Sequence, residues 1–224
     1  MKYYESSPSD ILNGETNEEI MIMLKEKMKE KFPGVEEHNY DLKYLDKSMR
    51  KMPIGGYYRQ PAIDNYTENI VCLNTDKDEP ASDIITLAHE GYPGHMYQFV
   101  YFNSKDNYEI RNVLRFTGYS EGWAVYVQSM LGELYEFEND VYPALLTGDF
   151  LYERILIGRI DMGVNYEGWT LEENREYIKS SGYPDSDEMA DSSYYTVIGD
   201  PGAFLPYIIS YYEMTELREL VEKE

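Results

Sequence analysis

The sequence predicts a mainly α-helical protein with a small β-sheet on its N-terminal side. Long stretches carry apolar residues at three- and four-residue intervals, the period of an amphipathic helix. Between His38 and Leu73 apolar and polar residues alternate instead, the period of a strand. Cap signatures and Pro or Gly breaks separate these stretches. A chain of 224 residues suffices for one large domain or two small ones. The expected division is 1–37, a leading segment with one packing helix, and 38–224, a helical domain with the sheet.

Residues 1–14 are polar, with Pro8 and Gly14, and read as a loose leading segment. Thr16 and Glu19 form a capping box that opens a helix running to about Phe32, with Ile20, Met23, Leu24 and Met28 as its apolar stripe and Pro33-Gly34 as its stop. Tyr40, Leu42 and Tyr44 alternate with polar residues, and Ile70-Val71-Cys72-Leu73 is a short apolar run. Together they predict two or three strands punctuated by Gly55-Gly56 and Pro61. A strand running beside a metal-binding helix can also offer its backbone to an extended peptide. Pro80 and Asp83 mark a helix start, and Ile84, Ile85, Leu87 and Ala88 carry it to His89, with resumption after Gly94. Further helices are expected over about 108–135, interrupted near Gly118-Tyr119-Ser120, over about 138–165, and from Trp169 to Gly182-Tyr183-Pro184. A last one follows Pro201-Gly202 and runs to the C-terminus. No internal repeat or low-complexity segment is present.

Composition narrows the function. A net charge of −22, spread along the chain, argues against nucleic-acid binding, because phosphates require a basic footprint. No run approaches the roughly 18 apolar residues of a membrane helix, and mean hydropathy is −0.58. Met1 to Pro8 lack an apolar h-region, so no signal peptide is expected in this sequence. Cys72 is the single cysteine, which excludes an intramolecular disulfide framework and a cysteine zinc cluster. The 24 tyrosines suit either amphipathic packing or a groove for peptides or sugars.

The chemistry concentrates in His89-Glu90-Gly91-Tyr92-Pro93-Gly94-His95, which holds two of the three histidines. Two neutral imidazoles and an adjacent carboxylate are what a catalytic zinc site needs. Histidines at i and i+4 lie about 40° apart on a helix, but His95 is at i+6, about 240° round. A bulge or kink at Pro93-Gly94 would restore the i+4 relation. The alternative is a pair of ordinary histidines near a helix break. With no cysteine to spare, a third ligand should be a carboxylate. Glu121, within Ser120-Glu121-Gly122-Trp123-Ala124, could return to the metal after one helix out and back, or could simply favour a helix N-terminus.

His-Glu-x-x-Pro-Gly-His, Ser120-Glu121-Gly122-Trp123-Ala124-x-Tyr126 and Pro201-Gly202 followed by Tyr207 together resemble one bacterial family. It is domain of unknown function 885, a relative of gluzincin zinc metallopeptidases. Arg159-Ile160-Asp161-Met162-Gly163, Gly168-Trp169 and Gly56-Tyr57-Tyr58 with Pro61 and Asp64 extend the resemblance over roughly 40–224. It implies a gluzincin-like catalytic portion of a longer architecture, in a parent protein of a kind often exported in bacteria. It also implies zinc on His89, His95 and Glu121, Glu90 as general base and acid, and a peptide substrate. Tyr207 is implied as an oxyanion donor, with simple packing as its alternative. Asn165 stands where many members have His, four residues after Asp161 and on the same helix face. With Tyr58 and Arg159 it is a candidate substrate contact, a structural ion pair being the alternative for Arg159. The expected function is a zinc-dependent, peptidase-like hydrolase. The rival is a catalytically incomplete metal-site domain that binds a peptide or protein partner.

Overall fold

The structure, a computed structural model, describes residues 12, 14–35, 37–51, 54–62, 64–77, 83–105, 110–114, 116–139, 141–182 and 186–223. The expectations for Pro8, Pro80, Tyr108 and Tyr183-Pro184 fall outside them. The chain is mainly helical with a three-stranded sheet. It divides into two compact units, 1–147 and 148–224. The N-terminal packing helix contributes to the core of the first.

In the first unit, α1 (Asn17–Met28) opens on the predicted box. Thr16 Oγ1 accepts from the Glu19 N–H at 3.3 Å, and Glu19 Oε2 accepts from the Thr16 N–H at 2.8 Å. Its Ile20, Met21, Leu24 and Met28 are buried. The strands β1 (Asn39–Tyr44), β2 (Gly56–Arg59) and β3 (Glu68–Leu73) form a sheet of order β1-β3-β2, parallel between β1 and β3 and antiparallel between β2 and β3. Tyr40, Leu42, Tyr44, Tyr58, Val71 and Leu73 face the core, as the alternation requires.

Two helices follow, α2 (Ile84–Glu90) and α3 (His95–Asn103). Asp83 caps α2, accepting from the Thr86 N–H at 2.8 Å. A single turn, α4 (Ile110–Val113), precedes α5 (Thr117–Gln128) and α6 (Leu131–Leu134). The interruption expected at Gly118-Tyr119-Ser120 is not there: these residues form the first turns of α5. The breaks lie on either side, because Glu121 and the apolar residues after it need one uninterrupted helix to face α2. Leu87, Ala88, Tyr92, Met96, Val125 and Leu131 are fully buried in this unit.

The division between the units falls within α7 (Val141–Met162), which a π-helical turn at Gly163–Glu167 extends. In the second unit, Thr170 and Glu173 form another capping box for α8 (Leu171–Ser181), and Gly182, at φ 77°, ends it. The sequence reading missed α9 (Ser186–Gly199), whose Ser- and Asp-rich first half reads as a loop. α10 (Leu205–Glu222) carries Pro206 in its first turn and matches the expected final helix. Leu156, Ile160, Ile178, Ala190 and Val197 form this unit's core.

Candidate metal centre

His89, His95 and Glu121 converge although they come from three helices, α2, α3 and α5. Glu121 Oε2 lies 3.3 Å from Nε2 of His89 and 3.3 Å from Nε2 of His95. The two imidazole rings are 4.7 Å apart and perpendicular, and one ligand atom from each of the three residues lies within 4.8 Å of the others. Tetrahedral ligands about 2.0–2.1 Å from one ion stand about 3.3 Å from each other. The donor set, two borderline nitrogens and one carboxylate oxygen, also suits zinc, so these residues fit the ion. Among the described residues this is the one cluster of His, Cys, Asp or Glu compatible with a metal.

The Pro93-Gly94 irregularity brings the histidines together by a different device from a bulge in one helix. α2 stops at Glu90 and α3 starts at His95, so residues 91–94 form a turn between two helices, with a cis Tyr92–Pro93 peptide. The turn is fixed from three sides. The Trp123 indole N–H donates to the Pro93 carbonyl at 2.9 Å. The Tyr92 phenol, fully buried, meets His38 Nε2 at 2.6 Å. The Gln98 N–H donates to the Gly94 carbonyl at 2.9 Å. Trp123 lies two residues after Glu121, so one motif clamps the backbone of the other.

Glu90 ends α2 beside the cluster, and its Oε2 accepts from the Tyr58 backbone N–H at 2.7 Å. That N–H points away from β3, so the outer edge of β2 faces the carboxylate. The Tyr58 side chain turns the other way, donating its phenol hydrogen to Asn69 Oδ1 at 2.6 Å, and burial holds that phenol far above its ordinary pKa. Tyr58 therefore meets the site through its backbone. On the opposite side of the cluster, His89 Nδ1 contacts Oε1 of buried Gln128 at 2.9 Å. Gln128 was not picked out in the sequence; its spacing of two helical turns from Glu121 was the available signal.

Burial is the largest single influence on His89 and opposes its charge. The Glu121 hydrogen bond and the charges of Glu90 and Glu121, with help from Gln128, together outweigh it and raise the pKa. Burial likewise opposes the Glu121 charge, but both imidazoles hold its carboxyl far below the usual range. The signs fix a prediction for the metal-free protein. His89, raised above 6.5, contributes stability in full below that value and loses it as pH rises through its folded pKa. Glu121, lowered from 4.5, contributes above that value and loses it only in strong acid. Chelator-treated protein should therefore lose thermal midpoint as pH climbs above 6.5 relative to a Glu121→Ala variant, and added zinc should remove that loss. Parallel pH profiles for the two proteins would refute the coupling.

The family whose pattern matches residues 13–224 is described as a bacterial protein of unknown function, DUF885. The chain belongs to this family. No functionally curated protein matches it. Among solved structures, "the putative lipoprotein from Colwellia psychrerythraea" is similar to 92% of the chain at 24% identity, with a TM-score of 0.74. The chain spans 36% of that protein, and at this identity the likeness establishes the fold alone.

The remaining candidates from the family pattern lie in the second unit. The Asn165 amide donates to Asp161 Oδ1 at 2.8 Å and to the Val197 carbonyl at 2.9 Å. Asp161, buried, accepts from the Gly202 N–H at 2.8 Å. These bonds fasten Pro201-Gly202 to the end of α7. Arg159 pairs with Glu167 at 3.0 Å and covers the Trp169 ring at 4.4 Å, the ion-pair alternative left open by the sequence. Tyr207, on α10, stacks with Phe204 and lies beneath the Arg154 guanidinium, 5.3 Å from it. Among the described residues no helix is long and apolar enough to cross a membrane.

Proposed function

We propose that the protein is a zinc-dependent, peptidase-like hydrolase whose metal is held by His89, His95 and Glu121. The observation that carries this is the convergence of the three donor atoms, all within 4.8 Å of one another, with Glu121 Oε2 3.3 Å from each histidine Nε2 and Glu90 next in the chain to His89. The ion would polarise a scissile carbonyl and activate water for attack.

The chain's own residues supply the rest. Glu90 is adjacent to a ligand and anchored through one oxygen by Tyr58 N–H, which fixes the plane of its carboxylate. It takes the proton from water and passes it to the leaving amine. The short turn after Glu90, locked by Trp123 and Tyr92, keeps that carboxylate from swinging away from the ligands. This reading rests on the first unit; Tyr207, Asn165 and Arg159 enter it only as expectations from the family resemblance.

Glu90→Gln tests the reading. The variant should bind one zinc ion as tightly as the parent and lose about 10²–10⁴-fold of peptide hydrolysis, the usual worth of a positioned acid–base group. Bound zinc with unchanged hydrolysis would remove Glu90 from the mechanism. A parent protein that loads zinc but cleaves no member of a peptide library would favour the rival, a metal-site domain that binds peptides without cutting them.

A further inference from the structure

We propose that Gln128 is a positioning residue that fixes the tautomer of His89, so that Nε2 rather than Nδ1 is presented to the metal. The inference rests on the metal-site reading above and deepens it.

A neutral imidazole has one N–H and one lone pair, and only the lone pair can bind a cation. At His89 the two nitrogens face different partners. Nε2 faces Glu121 and, across it, His95, while Nδ1 faces Gln128 Oε1 at 2.9 Å. A carbonyl oxygen can only accept, so the hydrogen belongs on Nδ1 and the lone pair on Nε2 points to the ligand centre. The opposite amide orientation would give Nδ1 a donor, move the imidazole hydrogen to Nε2, and block coordination.

Gln128 is built for this contact. It is 1% exposed, so water does not compete for its oxygen. It lies seven residues after Glu121 on the same α5, within about 20° of the same face. One helix thus supplies both the carboxylate between the histidines and the acceptor behind one of them. The amide also carries a cost that packing alone would not retain. Its Nε2 is buried without a hydrogen-bond partner, where an apolar side chain of similar size would leave no polar atom unsatisfied. Polar partners behind a metal-binding imidazole typically contribute about 10–100-fold in metal affinity.

The test uses the full chain, zinc alone as probe, Gln128→Met (similar volume, no acceptor) and Gln128→Glu (acceptor kept). Zinc affinity is read by competition with a chromophoric chelator, and the His89 tautomer by long-range proton–nitrogen spectra of protein labelled with ¹⁵N-histidine. The zinc-loaded parent should carry the hydrogen on Nδ1. Gln128→Met should bind zinc about 10–100-fold more weakly, and Gln128→Glu should bind at least as tightly as the parent. Equal affinity in Gln128→Met, an equal loss in both variants, or a loaded parent with no hydrogen on Nδ1 would overturn the proposal. If Gln128→Met does not fold, the tautomer and Gln128→Glu decide it. Failure of the parent itself to bind zinc would instead refute the metal-site reading, and this inference with it. Loss of peptide hydrolysis alone bears on neither measurement.

Discussion

Glu121→Ala is expected to lower zinc affinity by more than about 100-fold, beyond what loss of an outer partner causes. The side chain is the element that makes two histidines on separate helices into one site. Its Oε2 lies 3.3 Å from both imidazoles, and no other described carboxylate completes such a cluster. Removing it also leaves His89 with its dominant burial penalty and without its strongest compensating partner, so the pKa of His89 should fall in the variant. The metal-free protein then loses the pH dependence described above. Two measurements check the claim: chelator competition for the affinity, and a pH series of thermal midpoints for the coupling. Glu121→Gln separates charge from shape, because the amide keeps an oxygen acceptor but no charge. It should bind zinc better than Glu121→Ala and worse than the parent. Parent-like affinity in Glu121→Ala would take Glu121 out of the ligand set.

The two histidines of the cluster were legible in the sequence because histidine is rare in it, whereas Glu121, one of 42 acidic residues, was marked by its motif. With three histidines in the chain, a two-histidine site leaves few choices, and Cys72 alone cannot supply a cysteine ligand set. The helices and the alternation of Tyr40, Leu42 and Tyr44 were legible for the same local reason: burial period and caps are written within a few residues. What was not legible depends on distant partners. The locking of Pro93 by Trp123, of Tyr92 by His38, and the turn of the Tyr58 side chain toward Asn69 all join residues far apart in the chain. The α9 helix was lost for a local reason, since Ser and Asp favour caps and turns and its buried Ala190 and Val197 become a pattern only against Ile178 and Leu156. Asn165 illustrates a different limit. Its type suggested contact with a substrate, and the structure gives its amide to Asp161 and Val197, where it ties a turn to a helix.

Gly94→Ala should be as damaging as loss of a ligand, though it touches no ligand atom. A Cβ at this position would overlap the backbone carbonyls of His89 and Ala88. The requirement for glycine here is one of space. Relief by movement is blocked on both sides. The carbonyls belong to the last turn of α2, which carries His89 and Glu90, and the turn itself is held through Pro93 by Trp123 and through Tyr92 by His38. Any shift that admits the methyl group must therefore separate His95 from His89. Overpacking a rigid site costs about 1–3 kcal/mol and occasionally more, and here the upper end is expected because backbone meets backbone. Gly148→Ala provides the opposite sign. Gly148 lies within α7 with no atom within 4 Å of a new Cβ, so alanine should stabilise the protein by about 0.5–1 kcal/mol through the unfolded chain. Denaturant unfolding of both variants, with zinc affinity measured alongside, should give loss of stability and of metal at position 94 and a gain of stability with unchanged metal at 148. A Gly94→Ala protein as stable and as tightly zinc-bound as the parent would mean that the turn between the two histidines does not set the geometry of the centre.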